Sequence, residues 1–520
     1  MTRQLLLDRI AGHAEPWDLL IIGGGATGVG AAVDAATRGY DVLLLEQHDF
    51  GKGTSSRSTK LVHGGVRYLQ QGNVPLVMEA LKERGLLRQN APHLVRELAF
   101  VVPNYLWWEA PFYGIGMRVY DMLAGRHGFG HSRVLTTEEV LGRIPMLEQE
   151  GLRGGVLYHD GQFDDSRLLI DLVLTAADHG GCLLNYAPVV RLRKDGAGYV
   201  NGAIFRDVET GNEHEVSARC VINATGAFSD AVRRMDDAAA PPMIAASQGV
   251  HIVLPKRFLG GDTAVMVPRT RDARVMFAIP WHDHTVVGTT DTPITDITLE
   301  PRPLPEEIDF ILETASGYLT ENPARSDILS VFTGIRPLVK AGDAGNTAAL
   351  SREHTIQISK AGLVTIAGGK WTTYRKMAED CVNHAATLAG LEERPCVTRD
   401  LRIHGYHPSA PQFGAYADYG AEAFALQGLV EGRPELDAVL DAGAQVRAAQ
   451  VFWALRHEMA RTVDDVLARR TRVLSIDARA AMRLAPAVAA LMAAEMGRDE
   501  SWQREQVDDF IAIAERYLPL

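Results

Sequence analysis

Cysteine is scarce in this chain. Among 520 residues there are four, Cys182, Cys220, Cys381 and Cys396, with no C-x-x-C pair and no histidine pair at ligand spacing. That scatter argues against a disulfide framework and indicates no metal site, and the four read as reduced thiols of a cytoplasmic protein. Long hydrophobic runs are also missing. Nothing approaches the roughly 18 apolar residues of a membrane span, which leaves attachment to one face of a bilayer as the only membrane role to expect. The opening residues, MTRQLLLDRIAGHAEPWD, hold an apolar run of only Leu5–Leu7 before acids follow, unlike a signal peptide, and residues 1–17 read as an irregular lead-in. Positive charge is in deficit, at a formal net charge of −12, so no nucleic-acid partner is expected, although a local cationic pocket for an anionic substrate remains compatible. Internal repeats and low-complexity tracts are absent. The length calls for two or three domains.

What is present is organised around Asp18–Glu46. Leu19–Ile22 is a short apolar run suited to a strand buried on both faces. Gly23, Gly25 and Gly28 follow at G-x-G-x-x-G spacing, and the helix they open ends near Gly39. The first glycine permits a tight turn, the second a close approach to a pyrophosphate, and the third packing of helix on strand. Asp41–Leu45 reads as the next strand, and Glu46 closes it where an acid would hold ribose hydroxyls. A glycine-rich turn in an ordinary α/β domain is the weaker reading in this context. The acid favours NAD or FAD over NADP and does not separate the first two.

Further along, Gly51–Asn73 is a Gly/Ser/Thr/Lys/Arg-rich loop with a helical turn expected near Lys60–Leu69, and Val74–Leu87 is helical. The segment NYLWWEAPFYGIGMRVYDMLAG gathers Trp107, Trp108, Phe112, Tyr113, Ile115, Met117 and Tyr120 with few charges. It is either core or lid packing, or an apolar surface lying in a membrane interface or admitting a lipophilic electron acceptor. A strand entering NATGAFSD (223–230) is a second place for backbone to meet a cofactor. VHIVLP, AVMVP, RVMFAIP and HTVVGTTD are short β-runs between turn residues and predict an antiparallel sheet. Leu363–Ala367 then runs into Gly368, Gly369 and Lys370 and a helix. From about Leu401 helices dominate.

The expected fold is therefore α/β: a Rossmann-like FAD-binding domain interleaved with an antiparallel substrate domain, followed by an all-helical C-terminal domain. The expected spans are 17–95, 151–245 and 351–395 for the nucleotide part, 96–150 for a mixed aromatic-rich segment, 246–350 for the antiparallel part and 400–520 for the helices. A chain that leaves the nucleotide domain and returns with another glycine turn suits a large buried cofactor such as FAD.

The motifs GTSSRSTKLVHGGVRYL, NATGAFSD, VVGTTD, SVFTGIRPLV and AGGKWTTYRKMAEDC, in this order, together with RTVDDVLARRTR (461–472), closely resemble the FAD-dependent sn-glycerol-3-phosphate dehydrogenases, within the D-amino-acid-oxidase-like FAD fold. The resemblance spans roughly residues 17 to 500. It implies oxidation of glycerol 3-phosphate to dihydroxyacetone phosphate, with hydride passing from C2 to flavin N5 and electrons leaving to a quinone at a membrane. The expected location is the cytoplasm, or the cytoplasmic face of the inner membrane as a peripheral protein, with a homodimer as one expected assembly. Arg67, Arg336 and Lys370 sit beside glycine-rich turns and suit a phosphate dianion, with Tyr68 adding a hydroxyl. Each alone would pass for a solvated surface cation. His63 and His251 are the candidate bases for the C2 hydroxyl, with His251 preferred, and Arg336 suits the developing alkoxide. The resemblance further implies that Thr54, Ser55, Ser56, Ser58 and Lys60 line the flavin's phosphate and ring side, Thr225 and Gly226 its adenosine side, and Asp291, Gly368 and Gly369 the isoalloxazine. No histidine for a covalent flavin link accompanies the loop, so FAD is expected to be noncovalent. Three alternatives remain: an oxidase passing electrons to O₂, an amine or amino-acid oxidase, and a non-catalytic FAD-binding regulator.

Overall fold

The computed structural model describes residues 3–519 apart from 71, 269, 272–273, 341–352 and 442, with Arg67 and Gln70 described in their backbone only. Its first sheet is the nucleotide sheet. The parallel strands run in the order Cys182–Leu184, Val42–Leu45, Trp17–Ile22, Glu213–Asn223, Val364–Gly368, and His354–Ile358 pairs antiparallel at the edge. Leu19, Leu20 and Ile21 are fully buried, as an apolar run covered on both faces requires. The helix Ala26–Thr37 packs against the helices Asp165–Asp178 and Tyr374–Leu388, so three segments distant in sequence share one layer. Strands Trp17–Ile22, Glu213–Asn223 and Val364–Gly368 all end toward the same cleft, at Gly23, Ala224 and Gly369. The carboxyl ends of parallel strands are where such sheets bind ligands.

The second sheet has ten strands among the described residues. The long strand Ile244–Pro255 pairs antiparallel with Ser330–Val339 on one side and His284–Gly288 on the other. The sheet continues through Met276–Trp281, Ala264–Val267, Val95–Pro103 and Gly155–Phe163 to Leu61–Val62. Its neighbours are antiparallel except Ala264–Val267, which runs parallel to Val95–Pro103. The alternation read in 250–291 corresponds to four of these strands. Gly155–Phe163 pairs along its length with Val95–Pro103, so the span 151–245 contributes to both sheets.

Two local expectations are corrected. The opening residues are not irregular: Arg3–Ala11 is a helix that buries Leu6 and Ile10, and Arg3 reaches the carboxylate of Asp207, a tertiary contact with no local signal. Lys60 is not helical. It adopts φ +63°, Leu61–Val62 is a strand, and the helix starts only at Val66.

The C-terminal region is mainly helical but not all-helical as expected: Val439–Asp441 pairs antiparallel with Val446–Arg447. Ala478–Met496 buries Ala481, Leu484, Ala485, Val488, Ala489 and Met492, an i, i+3, i+4 stripe. It packs on Ala448–His457 and Glu500–Ala514. No helix among the described residues is long and apolar enough to cross a membrane. All four cysteines are free thiols.

Candidate active site

The cleft between the two sheets is a cavity of about 450 Å³. One end is the glycine turn. Gly23 has φ +111°, and a Cβ there would lie 2.7 Å from the Ala224 carbonyl oxygen; a Cβ on Gly28 would lie 2.0 Å from the Gly23 oxygen. Only glycine fits either position, and the result is a bare backbone cradle at the N-terminus of Ala26–Thr37, the arrangement a pyrophosphate needs. Glu46 lines the cavity beside it. Its carboxylate accepts from the Gly24 N–H at 2.6 Å and the His48 N–H at 2.9 Å, while burial raises its pKa.

The loop after the second strand forms the next wall. Ser55 Oγ accepts from the Ala26 N–H at 2.9 Å, tying the loop to the glycine turn. The Trp371 indole donates to the Ser55 carbonyl at 2.8 Å, tying it to the returning helix. Thr54 donates to the Ile335 carbonyl at 2.6 Å. Ser58 donates through both its N–H and its hydroxyl to Asp165. Thr225 and Gly226 line the cavity at the end of Glu213–Asn223, with the Thr225 hydroxyl donating to Asn223 Oδ1 at 2.7 Å. Gly368 (φ +79°) and Gly369 (φ +75°) bring the backbone to the opposite wall.

Three residues expected at the cofactor lie elsewhere. Ser56 and Lys60 are not cavity walls. The left-handed backbone at Lys60 turns its side chain into the protein, where Nζ bonds both Asp165 carboxylate oxygens and the Ser56 carbonyl and lies between the Trp281 and Phe332 rings. Lys60 therefore pins the loop from behind. Asp291 lies on a second cavity, pairing with Arg336 at 3.5 Å and accepting from the Ser247 hydroxyl.

That second cavity, about 170 Å³, opens from the first. The two share Thr59, Leu61, His63, Tyr68 and Arg336, which form a neck. Arg336 reaches the neck because of strand register. Its partner is Ser247, and the flanking pair Gly249–Gly334 has no side chains, so the guanidinium folds across Gly249. It donates to Thr289 Oγ1 at 3.0 Å and the Gln248 carbonyl at 3.3 Å. His251 lies on the same sheet face. Its ring stacks on Phe332 at 4.8 Å and its Nε2 meets Thr59 Oγ1 at 2.9 Å. Burial, with the positive charges of Arg336 and Lys60, holds its pKa well below the usual value, so the imidazole is neutral at neutral pH. Lys370 Nζ lies 4.0 Å from the centre of the Tyr68 ring. The Arg67 side chain lies outside the described residues.

Sequence reasoning missed two parts of the site. Arg274 lines the small cavity; its only signal is a place at the start of a predicted β-run. The motif 461–472, read only as a family mark, supplies Arg469 and Arg470, whose guanidiniums converge on the buried carboxylate of Asp49, just before the cofactor loop. Despite burial, these two arginines hold Asp49 below the ordinary carboxylate pKa. Arg469 also binds Asp464 and Asp465, and Asp464 accepts from Lys52 in the cavity wall at 2.9 Å.

Residues 18–375 match the family described as FAD dependent oxidoreductase, and residues 415–503 match the C-terminal domain of alpha-glycerophosphate oxidase. The chain is 41% identical over 540 residues to the mitochondrial glycerol-3-phosphate dehydrogenase of Rattus norvegicus, covering 97% of this chain and 74% of that one. It is 41% identical over 530 residues to the Homo sapiens protein of that name, covering 95% and 73%. The glycerol-3-phosphate dehydrogenase of Bacillus halodurans, solved with FAD, superposes with a TM-score of 0.81 at 28% identity, covering 100% of this chain and 98% of that one. Glycine oxidase from Geobacillus kaustophilus, at 20% identity and a TM-score of 0.54, shares the fold over 75% of this chain and 99% of that one.

Proposed function

This chain belongs to the FAD-dependent glycerol-3-phosphate dehydrogenases, and we propose that it oxidises sn-glycerol 3-phosphate to dihydroxyacetone phosphate and passes the electrons to a quinone. The observation that carries this reading is the neck. A long channel with a pyrophosphate cradle at its far end meets a small cavity where Arg336 and Arg274 supply positive charge, with Lys370 in the adjoining wall. The cradle, Glu46, Ser55, Ser58, Thr225 and Gly369 fit FAD, held noncovalently.

When bound, FAD supplies the oxidant that accepts hydride from C2. The protein's own groups do the rest. Arg336, Arg274, Lys370 and Tyr68 take the phosphate end. A dianion desolvated against several cations is held in one orientation, with its carbons toward the channel. Arg336 also faces the C2 oxygen, where its charge favours the developing alkoxide. His251, neutral and buried, is the proton acceptor. His63, at the neck, contacts the substrate. A single carboxylate substrate would not need this many cations, which separates the reading from an amino-acid oxidase.

Turnover with sn-glycerol 3-phosphate and a soluble quinone analogue tests the reading. Dihydroxyacetone phosphate should appear in equal amount to quinol, with little oxygen consumed. Rapid peroxide formation without quinone would make the protein an oxidase instead.

A quinone acceptor places the enzyme at a bilayer as a peripheral protein. The helix Glu109–Ala124 supports this. It buries Tyr113, Met117 and Tyr120 and exposes Phe112, Ile115 and Met122 on its outer face, continuing from exposed Leu106 and Trp107, the last 79% exposed. The aromatic segment is thus both core and surface. Removing two such side chains from a bilayer contact costs several kcal/mol at about 1.5–3 kcal/mol each. Trp107→Ser/Ile115→Ser is expected to leave most of the protein in the supernatant when sedimented with anionic vesicles that pellet the wild type, with turnover on soluble quinone unchanged. Undiminished pelleting would exclude this helix as the contact.

A further inference from the structure

Within that reading, the proton of the C2 hydroxyl has to reach His251. This histidine lines the large channel but does not line the small cavity, whereas Thr59 lines both. A substrate with its phosphate among the cations has its C2 oxygen at the neck, next to the residues the cavities share. Of these five, Thr59 is the one bonded to His251, at 2.9 Å.

The imidazole cannot swing to meet the substrate. One ring face stacks on Phe332, and its Cδ2 edge lies against Gly288, where a Cβ would come within 2.4 Å. Its Nδ1 is buried with no hydrogen-bond partner among the described residues, so among these residues the ring's polar contact is Thr59. Thr59 is equally fixed. Its neighbour Lys60 sits at φ +63° with a fully buried ammonium clamped by Asp165 and Ser56, and Ser58 on the other side is held by Asp165 as well. A left-handed non-glycine residue of this kind is held only by its surroundings. Here it sends the lysine inward and leaves the Thr59 hydroxyl at the neck.

We infer that Thr59 is a proton relay between the substrate and His251. The C2 hydroxyl gives its proton to Thr59 Oγ as Thr59 gives its own to His251 Nε2. The C2–O bond becomes a carbonyl as hydride leaves to FAD, so two electrons and one proton go to the cofactor and one proton to the imidazole. Threonine ends the step unchanged. Arg336 and Lys60, both positive and near His251, oppose storage of that proton and favour its release with product.

Three measurements on the FAD-loaded enzyme test this. Thr59→Val keeps the shape and removes the hydroxyl; flavin reduction at saturating glycerol 3-phosphate should slow about 100-fold, the scale of one general-base contribution, with substrate affinity and FAD content near wild type. Thr59→Ser should recover most of the rate. In mixtures of H₂O and D₂O, the wild-type rate should fall along a curve, because two protons move together. A Thr59→Val enzyme within about threefold of wild type overturns the relay. So does a straight dependence on deuterium content, which needs no variant and decides the matter even if Thr59→Val loses its flavin. Failure of the wild type itself to be reduced by glycerol 3-phosphate would instead sink the functional reading.

Discussion

Arg336→Ala is expected to slow flavin reduction by glycerol 3-phosphate about 10²–10³-fold, the scale of removing one preorganised donor from a transition state, while FAD stays bound. The guanidinium is committed to the neck by its surroundings: Thr289 and the Gln248 carbonyl accept from it, Asp291 opposes its charge, and glycine at 249 gives it room. None of these partners belongs to the pyrophosphate cradle, so cofactor affinity should be spared. Lysine at 336 should rescue little, because one ammonium cannot reproduce the fork that meets Thr289 and Gln248 together. Stopped-flow reduction under anaerobic conditions, alongside a flavin-to-protein ratio, reads both quantities. Near wild-type reduction would remove Arg336 from the reaction.

Arg470→Met is expected to be the most damaging change far from the substrate. Asp49 is fully buried and receives two bonds from Arg470 and one from Arg469. Removing one partner of a buried charge pair leaves the other undercompensated, at a cost of about 3–5 kcal/mol. Asp49 precedes Lys52, Thr54 and Ser55, so the loss should reach the cofactor wall and appear as weaker FAD retention as well as a lower Tm. Asp49→Leu combined with Arg470→Met removes both charges and should recover part of the stability. A single variant as stable as wild type would show that the C-terminal helices do not brace the cofactor loop.

Much of this site is written locally. Gly23, Gly25 and Gly28 are legible because a tight turn against a helix tolerates no side chain, and the cleft lies where that spacing places it. The antiparallel sheet is legible because short alternating runs between turn residues have few other solutions. Arg336 and Lys370 stand out by standing next to glycines. What escaped notice depends on contacts far apart in sequence. Nothing local says that Lys60 turns inward, because the reason is Asp165, more than a hundred residues later. Asp291 falls behind Arg336 through sheet register. The helix Arg3–Ala11 is held by Asp207, and the arginines of the 461–472 motif acquire their role only on meeting Asp49.

The central claim is that the neck matches a phosphorylated three-carbon alcohol to a flavin. Anaerobic mixing of the FAD-loaded protein with sn-glycerol 3-phosphate tests it most directly, with glycerol and glycine as parallel additions. The account predicts rapid loss of the flavin's visible band with the phosphate ester and no change with the other two. A flavin that stays oxidised with glycerol 3-phosphate, or bleaches equally well with glycerol or glycine, would contradict it.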